Sequence, residues 1–214
     1  MTDQKAQPAQ VPAFRTNRVE AFSDGVFAIA ITLLVLELAV PAGSEHDLWG
    51  AVMDEWPSYL AYLVSFSTVG AVWVGHTVIT ECLARATPVL IRLNLLLLMV
   101  VSFLPFPTKL LAEYVDEDRP ERVAATIYGL NLLLTAMLLS LLWRYAVREG
   151  LIRTDIADDD VKVITRKLTP GLVGYLVMIM LGVFFPLLAV LGYLVIAVYN
   201  LIPVRGRRRR KAAA

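Results

Sequence analysis

Cysteine, histidine and charge are all scarce in this chain, and each scarcity excludes a class of protein. Cys82 is the single cysteine among 214 residues, so no disulfide can form within the chain. The two histidines, His46 and His76, are isolated, and no nucleophile–base pair or metal-ligand cluster accompanies either of them. Charged residues make up 18% of the chain, below the roughly 25% of soluble proteins. We therefore expect neither an enzyme nor a protein with a metal site or a cofactor.

Long apolar stretches dominate the sequence instead. Hydrophobic residues make up 57% of the chain and the mean hydropathy is +0.63, which is typical of an all-α integral membrane protein. The stretch 168–204 would be ~55 Å long as one helix, too long for a ~30 Å hydrocarbon core, and Pro186 divides it. The sequence therefore predicts six transmembrane helices, at about 20–40, 57–80, 89–111, 123–143, 170–185 and 187–203.

The basic residues indicate how these helices are oriented. All of the 20 Lys and Arg residues except Lys109, Arg119 and Arg122 fall on the side of the membrane that holds both termini. Cytoplasmic segments carry the excess of basic residues in membrane proteins. We therefore expect both termini in the cytoplasm, and a multi-pass protein of the cell inner (plasma) membrane.

Three segments follow from this topology. Residues 1–17 are expected to form a disordered cytoplasmic tail, and residues 18–204 a six-helix transmembrane domain. Residues 205–214 form a basic cytoplasmic tail, which favours anchoring of the last helix over binding of nucleic acid. A short surface helix is predicted around 158–167, in the inner loop before the last two spans.

The first span carries one narrow stripe along its length when it is wound at 100° per residue. The stripe consists of Arg18, Phe22, Gly25, Ile29, Leu33, Leu36 and Val40, with Thr32 on its edge. In one interpretation this stripe faces lipid or the core of a helix bundle. In the other it lines a narrow apolar pore, which several copies of the chain form together.

Two polar residues of the first span, Ser23 and Asp24, point away from this stripe. An unpaired charge inside a membrane costs several kcal/mol, so they need partners on another helix. Trp73 and His76 lie three residues apart on the second span, which returns antiparallel to the depth of Asp24. A cluster of these four residues is either a structural clamp between the two spans or a titrating proton relay. Asn94 favours an interhelical hydrogen bond, and so does Asn131.

One short motif suggests a carbonyl-lined potassium filter but lacks the context for one. Thr68-Val69-Gly70 lies inside an unbroken apolar helix. Such a filter needs extended backbone in a re-entrant loop. We interpret the motif as a chance match.

The residues around the polar pair resemble a known family. Arg18 followed by Phe22-Ser23-Asp24 gives R-x-x-x-F-S-D at the start of the first helix. This motif resembles the signature of the transmembrane protein 175 family of potassium channels, which lack a TVGYG filter. Trp73-x-x-His76 resembles a second family feature, and the stretch 95–108 (LLLLMVVSFLPFPT) resembles a third.

This resemblance implies a homotetramer in which the first helix of each subunit lines a central pore. By motif spacing Ile29 would form the narrowest ring, and Leu33 and Leu36 the next apolar layers. Thr32 resembles a threonine that contributes to potassium preference. The residues implied to hold the pore helix in place are Arg18, Phe22, Ser23, Asp24, Trp73 and His76.

Two functions remain open at the level of the sequence. The first is a potassium-permeable cation channel with a hydrophobic constriction, whose partners are potassium ions, the lipid bilayer and three further copies of the chain. The alternative is a proton-coupled secondary transporter that uses Asp24 and His76. Saturable flux that depends on a pH gradient would distinguish the transporter from the channel.

Overall fold

Helices make up nearly all of the structure. The computed structural model describes residues 16–39, 43, 46–114, 120–168 and 170–202. Residues 1–15 and 203–214, which hold most of the two predicted tails, and Val40 lie outside the described residues. The helices are α1 (Thr16–Leu33), which a 3-10 turn (Leu34–Glu37) extends, α2 (Leu48–Asp54), α3 (Trp56–Cys82), α4 (Pro88–Ser102), α5 (Pro105–Tyr114), α6 (Pro120–Arg148), α7 (Asp158–Leu168), α8 (Pro170–Gly182) and α9 (Pro186–Leu201).

Several of these helices are long and apolar enough to cross a bilayer, as expected of an integral membrane protein. Among the described residues, five helical stretches meet that criterion, namely Thr16–Glu37, Trp56–Cys82, Pro88–Tyr114, Pro120–Arg148 and Asp158–Gly182. The sixth predicted span, α9, is apolar but has 16 residues, fewer than the ~20 that a bilayer core requires. Six spans per chain therefore stay a prediction.

The third predicted span is not one continuous helix. It breaks after Ser102 into α4 and α5, because Pro105 and Pro107 have no N–H to donate to the preceding turn. The N–H of Leu104 bonds to the carbonyl of Val101 at 3.1 Å, and not to the carbonyl four residues back. A side chain of α6 supplies the missing donor, since Asn131 Nδ2 donates to the Val100 carbonyl at 3.2 Å. The predicted interhelical role of Asn131 is thereby confirmed.

The other helix boundaries follow the sequence closely. The apolar stretch 168–204 breaks at 183–185, so that Pro186 begins α9, as predicted. The predicted surface helix is present as α7, with Asp158 to Asp160 in its first turn, where carboxylates are favourable. The sequence analysis predicted no helix between the first two spans, where α2 lies.

The first helix, α1, packs against α3 and α4. Phe27, Ala30 and Leu34 are its buried apolar residues and belong to the main hydrophobic core. At the N-terminal end of α1, the segments that follow α3 and α6 pair through an antiparallel bridge between Leu83 and Ile152. Val19 packs against the small core that these two segments share. The N-terminal end of α1 thus packs against the segments that follow α3 and α6.

Candidate functional site on the first helix

The two faces of α1 differ sharply. The described residues of the predicted stripe, from Arg18 to Leu36, lie on the side that the rest of the protomer leaves uncovered, whereas Ser23 is fully buried on the opposite side. The exposed side also carries Ala21, Gly25 and Ala28, small residues that leave room for close helix approach. The exposed fractions of the bulky members are 56% for Phe22, 61% for Ile29, 40% for Leu33 and 71% for Leu36. A single protomer therefore presents an unpartnered apolar ridge.

The C-terminal end of α1 tightens into a 3-10 turn. Residues three apart eclipse one another in this geometry, so Leu33 and Leu36 lie almost directly above each other. Leu34 is completely buried and fixes the rotation of the turn. Thr32, which is exposed, donates its hydroxyl to the Ile29 carbonyl at 2.9 Å, so the hydroxyl oxygen keeps lone pairs that face outward.

Asp24 has a partner on α3. Trp73 donates its indole N–H to one carboxylate oxygen of Asp24 at 2.9 Å. Trp73 is itself 43% exposed, so the pair lies at the edge of the exposed face and not in the core. A hydrogen bond from a neutral donor to a carboxylate is among the stronger polar contacts.

A second polar network lies in the core beside this pair and joins α1, α3 and α4. His76 Nε2 lies 2.7 Å from Asn94 Oδ1, and Asn94 Nδ2 donates to Ser23 Oγ at 2.9 Å. Ser23 Oγ in turn donates to the Val19 carbonyl at 2.8 Å. Because the Asn94 oxygen only accepts, His76 must carry its proton on Nε2. All the bonds of this network therefore run in one direction, from α3 through α4 to α1.

The predicted four-residue cluster is thus two separate networks. Trp73 and Asp24 form one, while His76 reaches Ser23 only through Asn94, which sequence reasoning assigned to interhelical bonding but left out of the site. No hydrogen bond joins Asp24 to His76 in the described residues, because each has a different partner. Arg18 and Phe22 take part in neither network and lie on the exposed ridge.

Comparison with known proteins identifies the group to which this arrangement belongs. Residues 18–105, which include both networks and the ridge, match the family described as endosomal/lysosomal potassium channel TMEM175. A protein of Chamaesiphon minutus named as a potassium channel is 43% identical over 190 residues, covering 86% of this chain and 92% of that protein. The chain belongs to the TMEM175 family.

Two further relatives support this membership of the TMEM175 family. A protein of Streptomyces collinus, also named as a potassium channel, is 50% identical over 136 residues, which are 63% of this chain and 66% of that protein. A crystal structure of a Chamaesiphon minutus homologue, described as a lysosomal potassium-selective channel, superposes with a TM-score of 0.79. It is 41% identical and covers 86% of this chain and 95% of that one. The TMEM175 fold of this chain is therefore shown, and the resemblance noted in its motifs is confirmed.

Proposed function

We propose that this chain is a potassium-permeable cation channel of the inner (plasma) membrane. Four copies surround a central pore, and the exposed ridge of α1 lines it. The observation that carries the proposal is the ridge itself, an unbroken apolar strip that the protomer leaves uncovered on its first helix. The names of the Chamaesiphon and Streptomyces relatives supply the permeating ion. Ions pass down their gradient with no chemical step.

The constriction in this proposal consists of rings of Ile29, Leu33 and Leu36. Rings of bulky apolar side chains close a narrow path to ions because they exclude the water that would hydrate them. The eclipsed positions of Leu33 and Leu36 place two rings close together at the outer end. Thr32 lies between these rings and Ile29, where its outward lone pairs would favour a partly dehydrated potassium ion.

The two polar networks act as clamps in this proposal. The network of His76, Asn94 and Ser23 holds the buried side of α1, and the Asp24–Trp73 pair holds the edge of its exposed face, so the ridge keeps its rotation towards the pore. The alternative, a proton-coupled transporter, requires a proton to pass between Asp24 and His76. In the described structure these two residues belong to different networks, and no hydrogen bond joins them to carry that exchange.

Replacement of the narrowest ring tests the channel proposal. We expect Ile29→Asn to raise potassium flux severalfold and to weaken discrimination against sodium, because a polar ring removes the dry barrier. Purified protein in liposomes with a potassium gradient, followed by exchange of potassium for sodium, measures both quantities.

Leu134→Asn is the matched control for this measurement. Leu134 is 43% exposed on α6, away from the ridge, so its replacement should leave flux and selectivity unchanged. Equal effects of both substitutions, or unchanged currents with Ile29→Asn, would show that Ile29 does not form the constriction. Flux that saturates and follows a pH gradient would instead favour the transporter.

A further inference from the structure

The helices α4 and α6 run antiparallel, and two contacts set their register. Near the N-terminus of α4, the hydroxyls of Thr87 and Tyr145 lie 3.3 Å apart. Near its C-terminus, Asn131 donates to the Val100 carbonyl. These contacts place residue 85 level with about residue 147 of α6, and residue 92 level with about residue 140. The start of α4 and the end of α6 therefore meet at the side of the membrane proposed as cytoplasmic.

Four exposed arginines are concentrated at this meeting point. Arg85 precedes α4 and Arg92 lies one turn inside it, while Arg144 and Arg148 end α6. At 1.5 Å per residue the register places all four within about 13 Å along the helix axes. None of them takes part in an ion pair that the structure describes.

Few acidic residues lie near these arginines. The segments 83–102 and 122–148 contain no Asp or Glu, and the nearest carboxylates along the chain are Glu81, four residues before Arg85, and Glu149, directly after Arg148. The four arginines outnumber these two carboxylates and therefore form a patch of net positive charge.

An apolar strip continues from the arginines along α6 towards the opposite side. Successive residues of this strip lie alternately four and three positions apart in the sequence, beginning at Leu130, so they share one face of the helix. That face ends in Arg144 and Arg148. The exposed apolar members are Leu130, Leu134, Met137 and Leu141. The surface thus has a basic end at the membrane boundary and an apolar part within the membrane.

We propose that this surface binds an anionic phospholipid of the inner leaflet. The four arginines contact the phosphate headgroup, since guanidinium groups suit phosphate oxygens, and the long side chain of Arg92 extends towards the interface. The acyl chains lie along the apolar strip of α6. Basic clusters at cytoplasmic helix ends bind such headgroups by this combination of charge and apolar contact. The inference rests on the proposed topology but not on potassium conduction.

Lipid binding by the purified full-length chain tests the inference directly. Native mass spectrometry in detergent compares phosphatidylglycerol with phosphatidylcholine of the same acyl chains. We expect Arg144→Gln/Arg148→Gln to weaken phosphatidylglycerol binding about tenfold, with a similar loss for Arg85→Gln/Arg92→Gln. Binding of phosphatidylcholine should not change. If a double variant does not fold, Arg148→Gln alone should weaken phosphatidylglycerol binding about threefold.

Two controls separate this site from other sources of binding. Arg153→Gln/Lys162→Gln removes the same charge at basic residues that are already paired with Asp155 and Asp159, and should change binding less than twofold. An equal loss in that control would show general attraction and overturn the site. Effective competition by millimolar inorganic phosphate would identify a site for free anions and overturn the lipid assignment. Because no flux is measured, neither result bears on channel function.

Discussion

The side-chain amide of Asn94 joins three helices through two hydrogen bonds. Its oxygen accepts from His76 on α3, and its nitrogen donates to Ser23 on α1. All three residues are buried, so no water can replace a lost partner. The Nδ1 atom of His76 already has no partner in the described structure, which makes its single Nε2 bond the more important. At the scale of single residues, Asn94 therefore determines how firmly α1 is held.

Removal of this amide should destabilise the protein measurably. Asn94→Leu keeps the side-chain size but leaves the N–H of His76 without an acceptor, and we expect a loss of about 1–3 kcal/mol in unfolding free energy. Unfolding by SDS in mixed micelles measures it. Asn131→Leu is the matched control, because Asn131 makes one bond and its Oδ1 has no partner. A loss in the control equal to that of Asn94→Leu would contradict the special role of Asn94.

At the scale of helices, Gly129 of α6 leaves room for a side chain of α9. A methyl group added to Gly129 would overlap the hydroxyl of Tyr193, a side chain that is completely buried on α9. The ring of Tyr193 packs between those of Tyr128 and Tyr175, at 5.7 and 6.3 Å between centroids. Its hydroxyl has no hydrogen-bond partner in the described structure. Packing, and not hydrogen bonding, therefore sets this helix contact.

A pair of substitutions tests this conclusion. Gly129→Ala should destabilise the protein by about 1–3 kcal/mol, because the added methyl group displaces the Tyr193 ring. Tyr193→Phe should cost little by itself and should restore only part of the stability of Gly129→Ala, since it removes the overlapping hydroxyl but leaves the close approach of the methyl group to Ile179 and to the ring. SDS unfolding of the single and double variants gives the coupling energy. Gly171→Ala, where nothing lies within 4 Å, is the control and should have little effect. Additive losses would refute the contact.

At the scale of the whole molecule, the uncovered ridge of α1 has no partner within the described protomer. The proposed tetramer supplies one by bringing four copies of α1 to a common axis. A face directed to lipid would need no such partner and would remain remote from the same face of another copy. The proximity of equivalent residues on two subunits therefore separates the two arrangements.

Cross-linking in a Cys82→Ser background measures that proximity. Leu36→Cys, at the outer end of the ridge, should give disulfide-linked dimers under mild oxidation, seen as a doubled mass on a denaturing gel. Leu141→Cys on the exposed face of α6 should remain monomeric under the same conditions, although Leu141 is also exposed. Cross-links at position 141 without any at position 36 would place α1 at the periphery.

Helical period is a local property, and for that reason the sequence predicted the ridge of α1 well. The position of each side chain around a helix depends only on the residues between it and its neighbours. The exposed positions of Phe22, Ile29, Leu33 and Leu36 in the protomer agree with the stripe. The break before Pro186 was predictable for a similar reason, since proline acts on its own preceding turn.

The hydrogen-bond partners of the polar side chains, in contrast, were decided by the tertiary structure. The sequence indicated that Ser23 and Asp24 need polar partners, but which donor meets which acceptor depends on how helices distant in the chain pack. Packing brought Asn94 between His76 and Ser23 and left Asp24 to Trp73 alone. The same holds for the arginines of α4 and α6, which are far apart in sequence and converge only because the two helices are antiparallel. Periodicity thus established which face of α1 is apolar, and packing established what holds the other face.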